Sequence, residues 1–415
     1  MSPHRVAVTG IGIISPLGNG VETMWRNLLE GHVAVSTITR FNAGAFRSRI
    51  AAQVDDFEPA AFMTKRRIQW TDRFSQMAVC AAHLALTDAQ LEQLGERAGE
   101  TGVFTGSALG GISIAEDQMA IFHREGLRGV SPLVTISVFG GAAASNIAIE
   151  FGATGHSTGN GNSCASGAMA IGDAARAIRH GELRMALAGG VEAPLAQLTY
   201  GAFVVARAMS TNNSDPAHAS RPFDEKRDGF VMAEGAGMLL LERFADAQTR
   251  GARIYGEIAG YGTSNDAHHM SAPIEGGDQT ATALQRALED AHVTADQVEV
   301  LNAHGSSTRL GDRAEARAYE RVFGERLAQI PVCATKGQHG HALGTTGAWE
   351  IAIALLAMRD GVVPGAVNLE RLDPECALNV SRQARHARAR LTLSNSSGFG
   401  GINAALVLRS SGSSS

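Results

Sequence analysis

The chain has 415 residues, of which 44% are hydrophobic and 19% charged, with a formal net charge of −5. That composition excludes a disordered chain, the length favours two closely packed halves over one simple core, and the acidic balance argues against a dedicated nucleic-acid binder. Cys80, Cys164, Cys333 and Cys376 are spaced too irregularly for a disulfide framework or a zinc site. With no secretory signal at the N-terminus, they read as reduced thiols of a cytoplasmic protein.

In chain order, Arg5 to Ile14 is a β-branched run broken by glycine and reads as a buried strand. Further short apolar runs fall at Gly102–Phe104, Met185–Ala188, Met238–Leu241, Ile254–Ile258, Val298–Leu301 and Leu391–Leu393. Helical patterns lie between them, at Ser75–Leu86, Ala165–His180, Thr280–Ala291, Asp312–Phe323 and Ala348–Arg359. The alternation predicts an α/β protein with largely buried sheets. The uncharged stretch from Leu133 to Ile149 is short for a membrane span and is expected to be a buried helix or a subunit contact. Residues 251–409 follow residues 1–250 without a Pro- or Ser-rich linker, and the small, polar run 410–415 is expected to be a flexible tail.

Four stretches gather chemistry. In Gly159-Asn-Gly-Asn-Ser-Cys164-Ala-Ser-Gly, a turn leads into an alanine-rich helix. Cys164 falls at the helix start, where the dipole favours a thiolate and free amides can bind an oxyanion; the motif alone is equally compatible with an inert buried cysteine. In Val300-Leu-Asn-Ala-His304-Gly-Ser-Ser-Thr308, a strand runs into a histidine and then into the hydroxyls of Ser306 and Thr308, with Asp312 and Glu315 one turn apart beyond. For Asp312, simple helix capping is a sufficient reading. The third stretch joins Lys336, His339 and His341 to a glycine-rich turn and to Glu350; Lys65, Lys226 and Lys336 are the only lysines. The two histidines lack nearby carboxylate or thiol partners, so no metal is expected. The fourth is Ser394-Asn-Ser-Ser-Gly-Phe399-Gly-Gly401, a loop with an amide available to an oxyanion. Gly155-His-Ser157-Thr-Gly159 fits a hydrolase elbow by pattern, but no helix follows directly, so the match is read as chance.

Together these stretches resemble the β-ketoacyl synthases, a branch of the thiolase-like condensing enzymes. The likeness runs from Val6-Ala-Val-Thr-Gly-Ile-Gly through Arg227-Asp-Gly-Phe-Val-Met-Ala-Glu-Gly to Gly398-Phe-Gly-Gly401. The resemblance implies a five-layered αβαβα fold of two duplicated halves, a dimer, and a Cys-His-His site of Cys164, His304 and His341. It implies support from Lys336, Glu350, Asp312 and Glu315, a gating Phe399, and a pantetheine channel at Ser306 and Thr308. It further implies decarboxylative condensation of an acyl-enzyme with malonyl-carrier protein, with no metal or redox cofactor beyond the phosphopantetheine of the substrates. The implied partners are an acyl carrier protein, docked on Lys65, Arg66, Arg67, Arg128 and Arg207, and a second identical or chain-length-factor-like subunit; no nucleic acid or membrane is expected.

Departures from the family pattern lie at Ser397, Ile402 and the Gln338-His339 pair. The run Val138-Phe139-Gly140-Gly141-Ala-Ala-Ala144 is unusually small; with Leu109 it is expected to shape an acyl pocket for a long or unsaturated chain, as in type II polyketide or polyene assembly, with fatty-acid elongation as the alternative. A degradative thiolase would need a second cysteine where Gly398–Asn403 stands, and a non-catalytic subunit would not need the intact Cys164, His304 and His341.

Overall fold

The computed structural model describes residues 3–412. Its central sheet has eleven strands: β1 (Val6–Ile14), β2 (Thr101–Gly106), β3 (Ser157–Asn160), β4 (Met185–Glu192), β5 (Gly235–Arg243), β6 (Gly256–Asn265), β7 (Val300–Asn302), β8 (Pro331–Cys333), β9 (Asn379–Val380), β10 (Leu391–Gly398) and β11 (Ile402–Arg409). They lie in the order β9-β8-β7-β10-β11-β6-β1-β5-β4-β2-β3. Outward from the β1–β6 junction, β1-β5-β4-β2-β3 and β6-β11-β10-β7-β8 are the same arrangement. In each, the first strand is antiparallel to the fifth, the fifth antiparallel to the fourth, and the fourth, second and third mutually parallel. Among the described residues, their strands pair with each other through Ala7 opposite Glu257 and Val8 opposite Gly256.

Eight of the helices matter here: α1 (Arg73–Asp88), α2 (Ile112–Glu125), α3 (Ala142–Phe151), α4 (Ser166–Arg179), α5 (Gln197–Val205), α6 (Asp278–Asp290), α7 (Arg309–Phe323) and α8 (Thr346–Asp360). α8 is buried from Thr346 to Met358, and α4 and α8 both touch strands of both arrangements. They form the middle layer. α1 and α3 cover the outer face of one half, α6 and α7 that of the other. The result is five layers, αβαβα. Strand alternation divides the apolar side chains between layers: Ala186 and Ala188 of β4 face the central core, Met185 and Leu187 the outer one.

Two glycines per half set the distance from sheet to helix. A Cβ on Gly12 would lie 1.9 Å from the Ala81 carbonyl oxygen of α1, and one on Gly262 would lie 2.3 Å from that of Ala283 on α6. Gly10 and Gly260 stand against Ala85 and Ala287 in the same way.

The structure amends several expectations. The strand expected at Ile254–Ile258 begins at Gly256 and runs to Asn265, and that at Val298–Leu301 is Val300–Asn302. The stretch 133–149 is not one helix, because Gly140 and Gly141 separate a short turn, Val134–Ser137, from α3. α3 buries Ala142, Ala143, Ala144 and Ile147 against the core and leaves Ile149 exposed. Ser157 opens the edge strand β3 and stands at no elbow. Of the expected tail, residues 413–415 lie outside the described residues, and the Ser410 amide donates to the Arg390 carbonyl (3.0 Å). No helix among the described residues is long and apolar enough to cross a membrane.

Gly12→Ala and Gly262→Ala should each lower the unfolding free energy by about 1–3 kcal/mol, since the helix must move off the sheet. An unchanged denaturation midpoint in both variants would refute the close-approach argument.

Candidate active site

β3 ends at Asn160, and the chain enters α4 through the turn Ser163–Ala165. Asn160 Nδ2 donates to the Ser166 carbonyl (3.1 Å), and Ser166 Oγ to that of Ser163 (2.6 Å). Ser163 is held at φ +52°, a left-handed conformation uncommon for a residue with a side chain. The turn delivers Cys164, only 8% exposed, to the wall of a cavity of about 200 Å³. His304, His341, Phe399, Ser306 and Thr308 line the same cavity.

Burial pushes the Cys164 thiol up to about 11; the Ser163 hydroxyl, donating over 3.8 Å, then the Lys336 charge and the Phe399 amide pull it back only in part. Burial thus opposes the thiolate expected at the helix start, outweighing the three groups that favour it.

His304 follows β7, and its ring meets that of His341 edge to face at 5.2 Å. His341 Nδ1 lies 3.0 Å from Thr346 Oγ1, and Phe230 packs against its ring. The Nδ1 atom of His304 is buried with no partner. Burial holds both imidazoles well below their ordinary pKa, and the Lys336 charge adds to the effect. Both rings are thus neutral at pH 7, each with one N–H and one lone pair to offer.

The charged groups sit behind these rings. Lys336 Nζ donates to the His304 carbonyl and pairs with Glu350, whose carboxyl burial raises to about 8 against the pull of Lys336. Glu315 accepts from the amides of His304 (2.7 Å) and Gly305 (2.8 Å), from Tyr319 Oη (2.8 Å) and from Asn395 Nδ2 (2.9 Å). Asp312 is not a helix cap. Thr308 caps α7, while Asp312 accepts from the amides of Phe223 and Ser307 and pairs at 3.2 Å with the fully buried Arg227. Both ring nitrogens of His339 have partners: Nδ1 lies 2.8 Å from the Gly340 carbonyl and Nε2 2.9 Å from Thr335 Oγ1. No cluster suited to a metal ion occurs among the described residues.

Phe399 is 39% exposed and stacks on Phe203 at the cavity. Its loop is pinned from outside, by Asn265 Nδ2 on the Gly400 carbonyl and by the Gly400 amide on that of Met270. Of the expected acyl-pocket residues, Leu109 lines the cavity. Val138, Phe139, Gly140 and Gly141 do not; Val138 and Phe139 are exposed, and Gly141 packs over Gly159 of edge strand β3. Lys65, Arg66, Arg128 and Arg207 are exposed. Arg67 is half-buried instead, donating to Glu150 (3.1 Å) and Asn146 of α3. Sequence reasoning missed Phe203, Phe230 and Leu343, whose apolar runs gave no sign that they border a cavity. It also missed the fully buried Glu192, signalled only as a carboxylate closing an apolar strand run.

The sequence matches the β-ketoacyl synthase N-terminal domain family over residues 4–247 and the corresponding C-terminal domain family over residues 255–370. It is 40% identical to 3-oxoacyl-[acyl-carrier-protein] synthase 2 of Synechocystis sp. and to the protein of that name from Vibrio harveyi, each alignment covering 99% of both chains. Among solved structures, the ishigamide ketosynthase/chain length factor superposes with a TM-score of 0.93 at 32% identity, over 99% of this chain and 100% of that one. A type II PKS acyl-carrier protein in complex with its ketosynthase bound to the hexaketide gives 0.91 at 32%, with the same coverage. A β-ketoacyl synthase from Burkholderia phymatum gives 0.91 at 33%, over 98% of this chain and 99% of that one. With its thiolase-like layers, this chain belongs to the β-ketoacyl synthase family and is a ketosynthase, an acyltransferase-class condensing enzyme.

Proposed function

We propose that the chain extends an acyl group held on Cys164 by one malonyl unit, with both substrates delivered on the phosphopantetheine of an acyl carrier protein. The observation that carries this reading is the convergence of a buried thiol, two neutral imidazoles and a glycine-rich amide loop on one cavity. The division of labour follows the two halves: residues 1–250 supply Cys164, and residues 251–409 supply His304, His341 and Phe399.

Cys164 Sγ attacks the donor thioester as its proton passes to a neutral imidazole, and the pantetheine thiol leaves. The amides of Cys164 and Phe399 receive the developing oxyanion. Malonyl-carrier protein then loses CO2. N–H groups of His304 and His341 stabilise the enolate oxygen, and the α-carbon attacks the acyl carbonyl. A carbon–carbon bond forms, the bond from the acyl carbon to Cys164 Sγ breaks, and the thiolate takes a proton from water, the first proton having left on the pantetheine thiol. Glu315 and the Arg227–Asp312 pair hold the backbone of the His304–Thr308 loop; burial and the Lys336 charge keep the imidazoles neutral, and Glu350 holds Lys336 in place. Ser306 and Thr308 offer hydroxyls to the pantetheine amides, and Phe399 gates the sulfur. No metal or redox step is called for.

The partner subunit, a second copy or a chain-length factor, sits on the open edge of β3, where the exposed Val138, Phe139 and Ile149 offer an apolar face. Type II polyketide or polyene assembly in the cytoplasm is the pathway we propose, supported by likeness to the ishigamide and hexaketide-bound ketosynthases. The 40% identity to 3-oxoacyl-[acyl-carrier-protein] synthase 2 favours a second reading, housekeeping fatty-acid elongation by a homodimer.

Purified protein should convert acyl- and malonyl-carrier protein to the β-ketoacyl product, and Cys164→Ala should abolish product; turnover by that variant would reject the mechanism. Polyenoyl donors are expected to outcompete saturated donors of equal length, and the reverse preference would select fatty-acid elongation. Alkylation of Cys164 should accelerate steadily with pH and reach no plateau below about pH 9, the thiol being raised to about 11; a plateau near pH 7 would mean a resting thiolate. Arg66→Glu should raise KM for carrier protein several-fold, less so at high salt, and an unchanged KM would remove that residue from the docking face.

A further inference from the structure

β4 and β10 hold the same place in the two halves, and so do the turns Ser163–Ala165 and Leu343–Thr345 that open α4 and α8. The two turns match closely in backbone angle. Asn162 has φ −86° and ψ 40°, Ala342 −86° and 36°; Ser163 and Leu343 have φ +52° and +43°. The residue matching Cys164 is therefore Gly344.

Each turn packs against the strand end of the opposite half. Gly398 ends β10 beside Cys164, and a Cβ there would lie 2.9 Å from the Cys164 nitrogen. Having no side chain, residue 398 leaves that amide uncovered. The matching residue at the end of β4 is Glu192, and it has the opposite effect. Its carboxylate accepts from the amides of Gly344 (3.0 Å), Ala108 (2.7 Å) and Leu109 (3.1 Å) and from Ser107 Oγ (2.9 Å). Amides converging at a helix start are the donor set that holds an oxyanion. There is no room for anything else: a Cβ on Gly344 would lie 2.8 Å from Glu192 Oε2.

We propose that Glu192 fills the disused oxyanion hole of the second half and serves as a positioning residue for the acyl cavity. Ala108 and Leu109, whose amides it holds, and Leu343, the neighbour of Gly344, which it holds from the other half, all line the cavity beside Cys164. The carboxylate fixes that wall, and with it the room available to the acyl chain. The inference rests on the reading of the cavity as the acyl site.

The test is chemical rescue. Glu192→Ala leaves a carboxylate-sized space among four donors. It should lower kcat/KM for long acyl donors by about tenfold or more, since the hydrogen bonds to the buried carboxyl group are lost. Formate should restore the activity saturably, and chloride should not. A folded Glu192→Ala that keeps the parental kcat/KM, or one that is impaired and indifferent to formate, overturns the proposal. Should that variant not fold, the near-isosteric Glu192→Gln decides. Its NH2 group cannot accept from the amides, so the ratio of kcat/KM between short and long donors is expected to change, and an unchanged ratio overturns the proposal. The parent keeps the two readings apart: an inactive parent strikes the function, whereas unchanged variants beside an active parent strike the role of Glu192.

Discussion

Two helices of this protein begin in its dry centre, and the amides that open them must be satisfied there. Helix N-termini leave N–H groups without intrahelical partners, and burying such groups unpaired is costly. At the start of α8 the cost is met internally, by Glu192. At the start of α4 the opposing position is Gly398, which has no side chain to cover the matching amide. The asymmetry between two otherwise matching halves is what makes one of them a candidate site for chemistry.

The histidines show the same economy of charge. Among the described residues, no carboxylate is hydrogen-bonded to either ring; Glu315, which holds the His304 and Gly305 amides, is otherwise engaged with Tyr319 and Asn395. The cation behind the rings, Lys336, discourages their protonation. A carboxylate in its place would have favoured imidazolium, which suits proton donation but not the repeated use of neutral N–H groups.

Much of this was legible in the sequence. The order of apolar runs and helical patterns gave the α/β class, and Cys164, His304, His341 and Phe399 were singled out as residues that the structure brings to one cavity. What escaped notice has physical reasons. β3 is a four-residue edge strand, half-exposed and without apolar alternation. The duplication entered only through the family resemblance, because it resides in strand order and turn angles, which unrelated side chains can build equally well. Asp312 was read locally as a cap, because its partner Arg227 is eighty-five positions away and no pattern links them. The approach of Gly141 to Gly159, where a Cβ on Gly159 would lie 2.8 Å from the Gly141 Cα, joins separate elements and leaves no local pattern.

Gly398 carries a consequence for how subunits of this family diverge. One methyl group at that position suffices to crowd the amide beside Cys164, with every thiol, imidazole and carboxylate of the site still in place. On the function proposed above, a copy altered there would keep its Cys-His-His signature and still have that amide crowded, so residue 398 has to be read together with the catalytic side chains.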